Sequence, residues 1–334
     1  MWGHVQLWGN GGTITMKIPA VRDGVTLFFV ISGFLITYLL LNEKGQKTDV
    51  HVPKFYLRRI LRIWPLYFLY LAIALTYSHN WADPNIWYYL LFLANIPIAL
   101  GIGILPIAHY WSISVEEQFY LFWPWIVKKW GGYKKLTYIS ISVLLIWVLT
   151  KWGLFLFAGK CDAYRFFQCS RFDCMMIGSI GAILYFTKSK FLFKVINCRW
   201  LGMICLLLIA FSQPWADIIP APARPQALAL LSLFAIFGQL GDTPIISLEN
   251  RLFDHVGKIS YGIYIIHPLL IFLFSNVYPY LGITLNDIWL SILYYCVITI
   301  STIAIAWLSY RYIESPFLRL KNRFAIVQSQ SSMK

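Results

Sequence analysis

Long, uninterrupted apolar runs recur along the chain and are separated by short polar segments. Continuous runs of this kind predict helices that cross a lipid bilayer, whereas a membrane barrel needs strands that alternate apolar and polar residues. Several runs are shorter than the ~20 residues that a spanning helix needs, so their limits are approximate. The sequence therefore predicts an all-α fold, a polytopic transmembrane helical bundle of about nine spans, near 24–41, 57–77, 111–127, 136–157, 173–187, 200–213, 226–241, 257–275 and 288–312.

The composition favours lipid as the solvent. Of 334 residues, 59% are hydrophobic and only 13% are charged, against about 25% charge in a typical soluble domain. The net charge of +14 does not indicate nucleic-acid binding, because the basic residues lie in short segments between apolar runs, without a zinc-finger spacing or a basic stripe. We predict one membrane domain over residues 1–325 and a disordered cytoplasmic tail over 326–334.

The distribution of basic residues predicts the orientation. Most of the 28 Lys and Arg fall in 42–62, 128–135, 188–199 and the tail after 310, which places these segments in the cytoplasm. The segment 78–110 has no Lys or Arg and is predicted outside, so its apolar stretch 86–105 should be interfacial or re-entrant. The N-terminus is then outside without a visible signal peptide, and we expect a further helix upstream of Met1.

Two arginines at the start of the second span form a candidate anion site. Arg59 and Arg62 are three residues apart and share one helix face. Two guanidinium groups on one face suit a phosphate or pyrophosphate. The alternative is that they are positive charges that anchor the helix in the cytoplasm.

Two adjacent carboxylates, Glu116 and Glu117, open the third span. Charge at membrane depth is costly, so an intramembrane glutamate is a functional hypothesis. Adjacent residues point about 100° apart on a helix, so only one of them should face a given site. The alternative is that both lie in headgroup water and interact with the helix dipole.

Other polar residues give weaker signals. His267, inside an apolar span, is either a base or proton relay or a neutral histidine bonded across helices. Arg311 and Glu314 are spaced to pair at a helix end. Cys161 and Cys169 could form a disulfide in an external loop, or remain free thiols. No zinc motif, nucleophile elbow or Walker loop occurs in the sequence, so no metal site is predicted.

Six segments, taken together and in order, resemble the membrane acyltransferase 3 family, the polytopic enzymes that O-acylate bacterial surface polysaccharides. They cover nearly the whole chain, and each is weak alone. The segments are Gly24–Ile36, Phe55–Pro65, Trp111–Pro124, Arg171–Asp173 with Gly178, Ser260–His267 and Tyr310–Phe317.

The resemblance implies residue roles. Arg59 and Arg62 match the family's Arg-x-x-Arg and would hold the phosphates of a cytoplasmic acyl-CoA, most commonly acetyl-CoA. His4, twenty residues before Gly24, matches the family histidine that would activate the acceptor hydroxyl or relay the acyl group. Glu116 or Glu117 would orient that histidine or bind the acceptor. The arginine that precedes the histidine in the family would lie upstream of Met1, and Thr26 stands where the family usually has Asp.

The acceptor implied by the resemblance is a carbohydrate or lipid-linked glycan of the cell envelope, lipopolysaccharide included. Trp111, Ser114 and His267, from the matched segments, are the predicted acceptor-binding residues. No cofactor is expected beyond the acyl-CoA substrate, and the expected location is the bacterial inner membrane, with lipid around the bundle and the C-terminus in the cytoplasm. Two alternatives stay open: a transporter or flippase that uses the Glu and His residues as a proton relay, and an inactive scaffold.

Overall fold

The computed structural model describes residues 24–47, 49–196, 198–212, 218–241, 245, 249–277 and 288–322. These residues are almost entirely helical and contain no strand, which confirms the predicted all-α fold. The helices are α1 Gly24–Lys47, α2 Val52–Ser78, α3 Ile86–Leu90, α4 Asn95–Leu100, α5 Tyr110–Trp130, α6 Tyr133–Phe157, α7 Asp162–Ser170, α8 Phe172–Phe186, α9 Lys190–Ile196, α10 Arg199–Ala210, α11 Arg224–Gln239, α12 Arg251–Val277, α13 Ile288–Ser309 and α14 Ser315–Asn322.

Each of the nine predicted spans overlaps one of these helices, but the count of nine crossings is not confirmed. Within the described residues, six helical stretches are long and apolar enough to cross a membrane. They are α1, α2, α6, α7 with α8, α12, and α13 with α14, which are joined by a π-helical turn at Tyr310–Glu314. The helices α10 and α11 have 12 and 16 residues, and α5 has 21 residues but carries the two glutamates. The chain is a multi-pass membrane protein.

The stretch 86–105 does not form one long helix. It breaks into α3, α4 and the beginning of a 3₁₀ turn at Leu105–Ile107. Phe92 and Gly101 adopt left-handed backbone conformations, which end the short helices. This part of the chain therefore lacks a helix that could span a bilayer, as the prediction of an interfacial or re-entrant segment requires.

The helices α1 and α8 pack backbone against backbone. A Cβ atom on Gly33 would overlap the carbonyl of Met175, and a Cβ on Gly178 would overlap the carbonyl of Val30. Small residues let helix backbones approach in a membrane, where apolar side chains gain little from leaving lipid. This contact fixes α1, which carries one wall of the site described below.

Contacts between α1, α2 and α5 set their directions. Ser32 of α1 donates a hydrogen bond to Glu116, near the start of α5. Lys44, later in α1, donates to the carbonyl of Val127, near the end of α5, at 3.2 Å. The two helices therefore run parallel. Trp64 meets Glu117 further along, and Tyr56 contacts Leu121, so α2 runs against both. These three helices meet around Glu116 and Glu117.

One end of the bundle collects the basic loops, and we call it the basic end. Lys128 pairs with Asp49 at 3.2 Å, and Arg58 pairs with Glu43 at 3.0 Å. A hydrogen bond from the Val50 N–H, followed by the Lys128 contact, lowers the pKa of Asp49 below its usual value. The predicted cytoplasmic segments 42–62 and 128–135 thus lie at the same end. The segment 78–110 lies at the other, the far end.

Two minor predictions are settled by contacts. The predicted pair of Arg311 and Glu314 is wrong: they form no ion pair among the described residues, and Arg311 lies over the rings of Trp307 and Tyr312. Both cysteines of the proposed external disulfide, Cys161 and Cys169, are free thiols.

Candidate active site

Arg59 lies inside the bundle rather than only at its mouth. Its guanidinium is 5.4 Å from the ring centre of Phe55 and 5.1 Å from that of Tyr120. Stacking on aromatic faces stabilises a cation away from water. Arg59 also interacts electrostatically with Glu116 and Glu117, although it forms no ion pair within 4 Å among the described residues. The two rings therefore hold the guanidinium of Arg59 in place, and no carboxylate among the described residues binds its N–H groups.

Glu116 is buried, and its contacts come from α1 and from its own helix. Ser32 donates a hydrogen bond to Oε1 of Glu116, and the hydroxyl oxygens of Ser32 and Tyr120 are 3.0 Å apart. Because the Ser32 proton is given to Glu116, Tyr120 is the donor in the second bond. A chain of two hydroxyls therefore ends on this carboxyl group.

Glu117 points toward α2. Its Oε2 accepts a hydrogen bond from the Trp64 indole at 3.5 Å. Its Oε1 is buried and accepts no hydrogen bond from the described part of the chain. As expected for adjacent residues on a helix, the two side chains point about 100° apart: Glu116 faces α1 and Glu117 faces α2. Arg59 lies within electrostatic reach of both, so the two carboxyl groups border one site after all.

Charge at this depth needs a reason, because burying an ionisable group without a full set of partners is costly. Glu116, Glu117 and Arg59 are held by hydroxyl, indole and aromatic groups, and by no close opposite charge among the described residues. Such an arrangement can accept a proton, orient a base or bind a polar ligand. We call these three residues with Ser32 and Tyr120 the central cluster.

The other arginines of α2 differ from Arg59. Arg58 pairs with Glu43, which is 2% exposed and also accepts the His51 N–H at 2.8 Å. Arg62 is exposed and interacts electrostatically with Arg59 and with Glu314. Arg58, Arg59 and Arg62 therefore follow one another along α2 away from the basic end, and Arg59 is the one that stacks on a ring of the central cluster.

A second group of polar residues lies toward the far end. Ser112 and Tyr264 share a hydrogen bond, and Tyr264 donates to the His109 carbonyl at 3.1 Å. The rings of His109 and His267 are 5.9 Å apart, and both side chains are buried. Nδ1 of His267 lies 3.0 Å from the carbonyl of Ile263, one turn earlier in its own helix. His267 is thus near the start of α5, one to two turns from Glu116.

Trp111 is half-buried at the far end of α5. The guanidinium of Arg171 lies 5.8 Å from its ring centre, and Arg171 also donates a hydrogen bond to Thr26. Arg171 has a left-handed backbone conformation between α7 and α8, which directs its side chain across the bundle. Trp111 therefore lies beside a cation and close to the start of α1.

Ser114 has an architectural contact. It is fully buried, and its hydroxyl accepts the Ala94 N–H at 3.2 Å. The neighbouring Gln118 donates to the carbonyl of Phe92 at 2.8 Å and to Asn95 at 2.9 Å. These bonds hold the segment between α3 and α4 against α5, so the acceptor-binding role assigned to Ser114 stays a prediction.

Sequence reasoning did not single out Ser32, Tyr120 or His109. Ser32 and Tyr120 both lie within segments that carry the family resemblance, and that was the available signal. His4 lies outside the described residues, so its predicted role stays untested. The structure brings together Arg59, Glu116 and Glu117, and places Trp111 and His267 nearer the far end.

A family model described as an acyltransferase domain matches residues 1–311 of this chain. It thus covers α1 to α13, including every residue of the central cluster.

Several curated proteins are similar over most of the chain. They include a peptidoglycan O-acetyltransferase, OatA, of Listeria monocytogenes (26% identical, covering 92% of this chain and 52% of that protein). A putative O-acetyltransferase of Staphylococcus aureus strain COL is also 26% identical, over 88% of this chain and 52% of its own length. The O-acetyltransferase OatA of S. aureus strain NCTC 8325 is 26% identical over 92% and 53%. This chain spans about half the length of these relatives, and no solved structure matches it.

Proposed function

The chain belongs to the acyltransferase family whose model covers residues 1–311, and on that premise we propose that it transfers an acyl group, acetyl by preference, from acyl-CoA to a hydroxyl of a cell-envelope carbohydrate. The relatives named as O-acetyltransferases support the acetyl group and the oxygen acceptor. The name of the Listeria protein favours peptidoglycan as the acceptor over the lipopolysaccharide considered from the sequence.

The observation that carries this proposal is the central cluster. Two glutamates and an arginine lie together between α1, α2 and α5, without a close ion pair among the described residues. A structural charge inside a membrane protein is normally paired, and an incompletely paired one marks a site of function. Acyl transfer uses both signs, because the donor carries phosphates and the acceptor must lose a proton.

We assign the donor to Arg59 and Arg62. Arg62 is exposed one turn further along α2 than Arg59, and the guanidinium of Arg59 lies over the rings of Phe55 and Tyr120. Guanidinium groups bind phosphate oxygens with paired hydrogen bonds, which a lysine cannot reproduce. Acyl-CoA would thus enter from the basic end, which we assign to the cytoplasm by its positive charge. The thioester would then point toward Glu116 and Glu117.

In the proposed reaction the acceptor oxygen attacks the thioester carbonyl. A carbon–oxygen bond forms, the carbon–sulfur bond breaks, and CoA leaves as its thiol after taking up a proton. The hydroxyl proton passes to a base, a role that the resemblance gives to His4. Glu116 or Glu117 would orient that base and balance its charge, and proton transfer by a placed group is worth about 100- to 10,000-fold in rate.

The acceptor side is assigned to the far end. Trp111 offers an aromatic face, and His267 lies with His109 and Tyr264 close to the start of α5. A sugar ring packs well on an aromatic face, while polar groups around it fix its orientation. The glycan would therefore be presented from outside the bacterial inner membrane, opposite the donor.

The test uses two neighbouring arginines as a matched pair. Membranes that contain the full chain are incubated with radiolabelled acetyl-CoA, and alkali-labile label is measured in the glycan and lipid-linked fractions. We expect Arg59→Ala to raise the KM for acetyl-CoA about 10- to 100-fold, as the loss of a charge-assisted hydrogen bond would. Arg58→Ala should leave the KM within about twofold, because Arg58 is bound to Glu43.

Other outcomes have clear meanings. Equal KM values in the two variants would remove Arg59 from the donor site. Movement of an unmodified glycan across the membrane, without label, would favour the transporter or flippase. Label that needs neither Arg59 nor Glu116 would point to another enzyme in the membranes.

A further inference from the structure

The basic end contains a surface cavity that the proposed function does not use. It lies where α5 ends and α6 begins and has a volume of about 470 Å³. Its lining includes four lysines and two aromatic residues: Lys44, Lys129, Lys134, Lys135, Trp130 and Tyr133. No carboxylate belongs to the lining. The cavity therefore has a concentrated positive charge.

Two acidic residues at the basic end form ion pairs with cations outside the cavity lining, although Asp49 also lies within electrostatic reach of Lys44. Asp49 pairs with Lys128, and Glu43 pairs with Arg58, and neither of these bases lines the cavity. The ammonium group of Lys44 already donates hydrogen bonds to carbonyls near the end of α5, and the Lys128 oxygen is 2.9 Å away. The charge on Lys134 and Lys135 has no ion-pair partner among the described residues, so an anion can bind there.

An apolar stripe leaves the cavity along α6. Lys134, Tyr138, Ile141 and Leu145 are spaced by four, three and four residues and so lie on one helix face, and all four are exposed. The stripe from Lys134 to Leu145 is about 16 Å long at 1.5 Å per residue. That length matches about one leaflet of a bilayer core that is ~30 Å thick. Only 11% of the membrane-spanning part of α6 is buried against the rest of the protein, so most of this helix faces lipid.

We propose that this cavity binds the headgroup of an anionic phospholipid, with an acyl chain lying along the α6 stripe. The lysines meet the phosphate, and Trp130 and Tyr133, 40% and 44% exposed, lie at the level of the interface. The stripe favours a lipid over a soluble phosphate, because a free anion would gain nothing from Tyr138, Ile141 and Leu145. The site is separate from Arg59 and Arg62, so it does not depend on the proposed reaction.

The experiment measures which lipid the full chain retains. The protein is reconstituted in nanodiscs of phosphatidylcholine with phosphatidylglycerol, then released into detergent, and retained lipids are counted by native mass spectrometry. We expect a preference for phosphatidylglycerol that falls about fivefold for each lysine removed in Lys134→Gln and Lys135→Gln, and about 25-fold for both. The charge-preserving pair Lys134→Arg and Lys135→Arg should keep the preference.

A matched control removes the same charge from the exposed surface outside the cavity. Lys54→Gln with Arg319→Gln should leave the preference within about twofold, because neither side chain lines the cavity. The proposal is overturned if the control and the Lys134/Lys135 glutamine pair behave alike. It is also overturned if inorganic phosphate displaces the lipid at equal concentration, since the site would then be one for a soluble anion.

Discussion

Two buried acidic sites in this protein are built in opposite ways. Asp173 is fully buried and pairs with Lys151, also fully buried, at 2.8 Å. It accepts two more hydrogen bonds, one from Gln226 and one from the Cys174 N–H. In the central cluster, Glu117 has one long hydrogen bond from Trp64 and a second oxygen without a donor among the described residues.

The difference distinguishes a charge that holds helices together from a charge that takes part in a reaction. A carboxylate with a full set of partners ties helices together but cannot easily change its protonation or bind a ligand. A carboxyl group with an incomplete set costs stability and persists where it serves a reaction. The joint between α6, α8 and α11 is of the first kind, and the space between α1, α2 and α5 is of the second.

The largest expected effect is on the chemistry of the central cluster. Glu116→Gln keeps an acceptor oxygen for Ser32 but loses the charge, so transfer should fall about 100- to 10,000-fold. Thermal unfolding in detergent should change little, because a neutral side chain of equal shape is cheaper to bury. Initial rates of acetyl transfer and the unfolding midpoint, measured on the same preparation, check both halves. Wild-type rates would place Glu116 with Asp173 as a structural group.

The next effect concerns the other site and should show the reverse pattern. Lys151→Met leaves the buried charge of Asp173 without its partner and should cost about 3–5 kcal/mol of stability. Transfer per folded molecule should stay within about twofold. The double variant Lys151→Met with Asp173→Asn should recover most of the loss, as measured by chemical unfolding. If the double variant were as unstable as the single one, the ion pair would not be what holds this joint.

A smaller effect should come from Ser114. Ser114→Ala leaves the buried Ala94 N–H without its acceptor and should destabilise the protein by about 1–3 kcal/mol. Ser140 is a matched control, since it is equally buried but bonds only the Leu136 carbonyl of its own helix, and Ser140→Ala should cost about 0.5 kcal/mol or less. Unfolding midpoints compare the two. A raised KM for the acceptor at unchanged stability would instead support the substrate role predicted for Ser114.

The helices were predictable, while their contacts were not. Runs of apolar residues locate a membrane helix because a helix surrounded by lipid must present apolar side chains, and each of the nine predicted runs overlaps a helix. The same uniformity hides which face of each helix meets its neighbours, because lipid-facing and protein-facing residues are both apolar. Nothing in the pattern relates Ser32 to Glu116, or Lys151 to Asp173.

Residues of the site could be predicted where charge is expensive. Glu116 and Glu117 stood out because an apolar segment rarely contains an ionisable group, and Arg59 stood out by its spacing of three residues from Arg62. Ser32 and Tyr120 did not, since hydroxyl groups are common in membrane helices and bond their own backbone. The depth of Arg59 was also missed, because a cluster of three arginines at a helix start is typical of positive charge at the cytoplasmic surface.

The glycine contact between α1 and α8 determines which parts of the bundle can move. With backbone against backbone at Gly33 and Gly178, neither helix can slide or turn past the other without a clash, so they act as one rigid body. Ser32 precedes Gly33 directly and is therefore fixed in that body. We expect an opening that admits a bulky acceptor to come from α2, α5 or α12 moving away from α1, and slow hydrogen exchange in α1 and α8 with faster exchange in those helices would check this. On that expectation Ser32 stays fixed with α1, and the hydrogen bond between Ser32 and Glu116 is the contact that opening breaks.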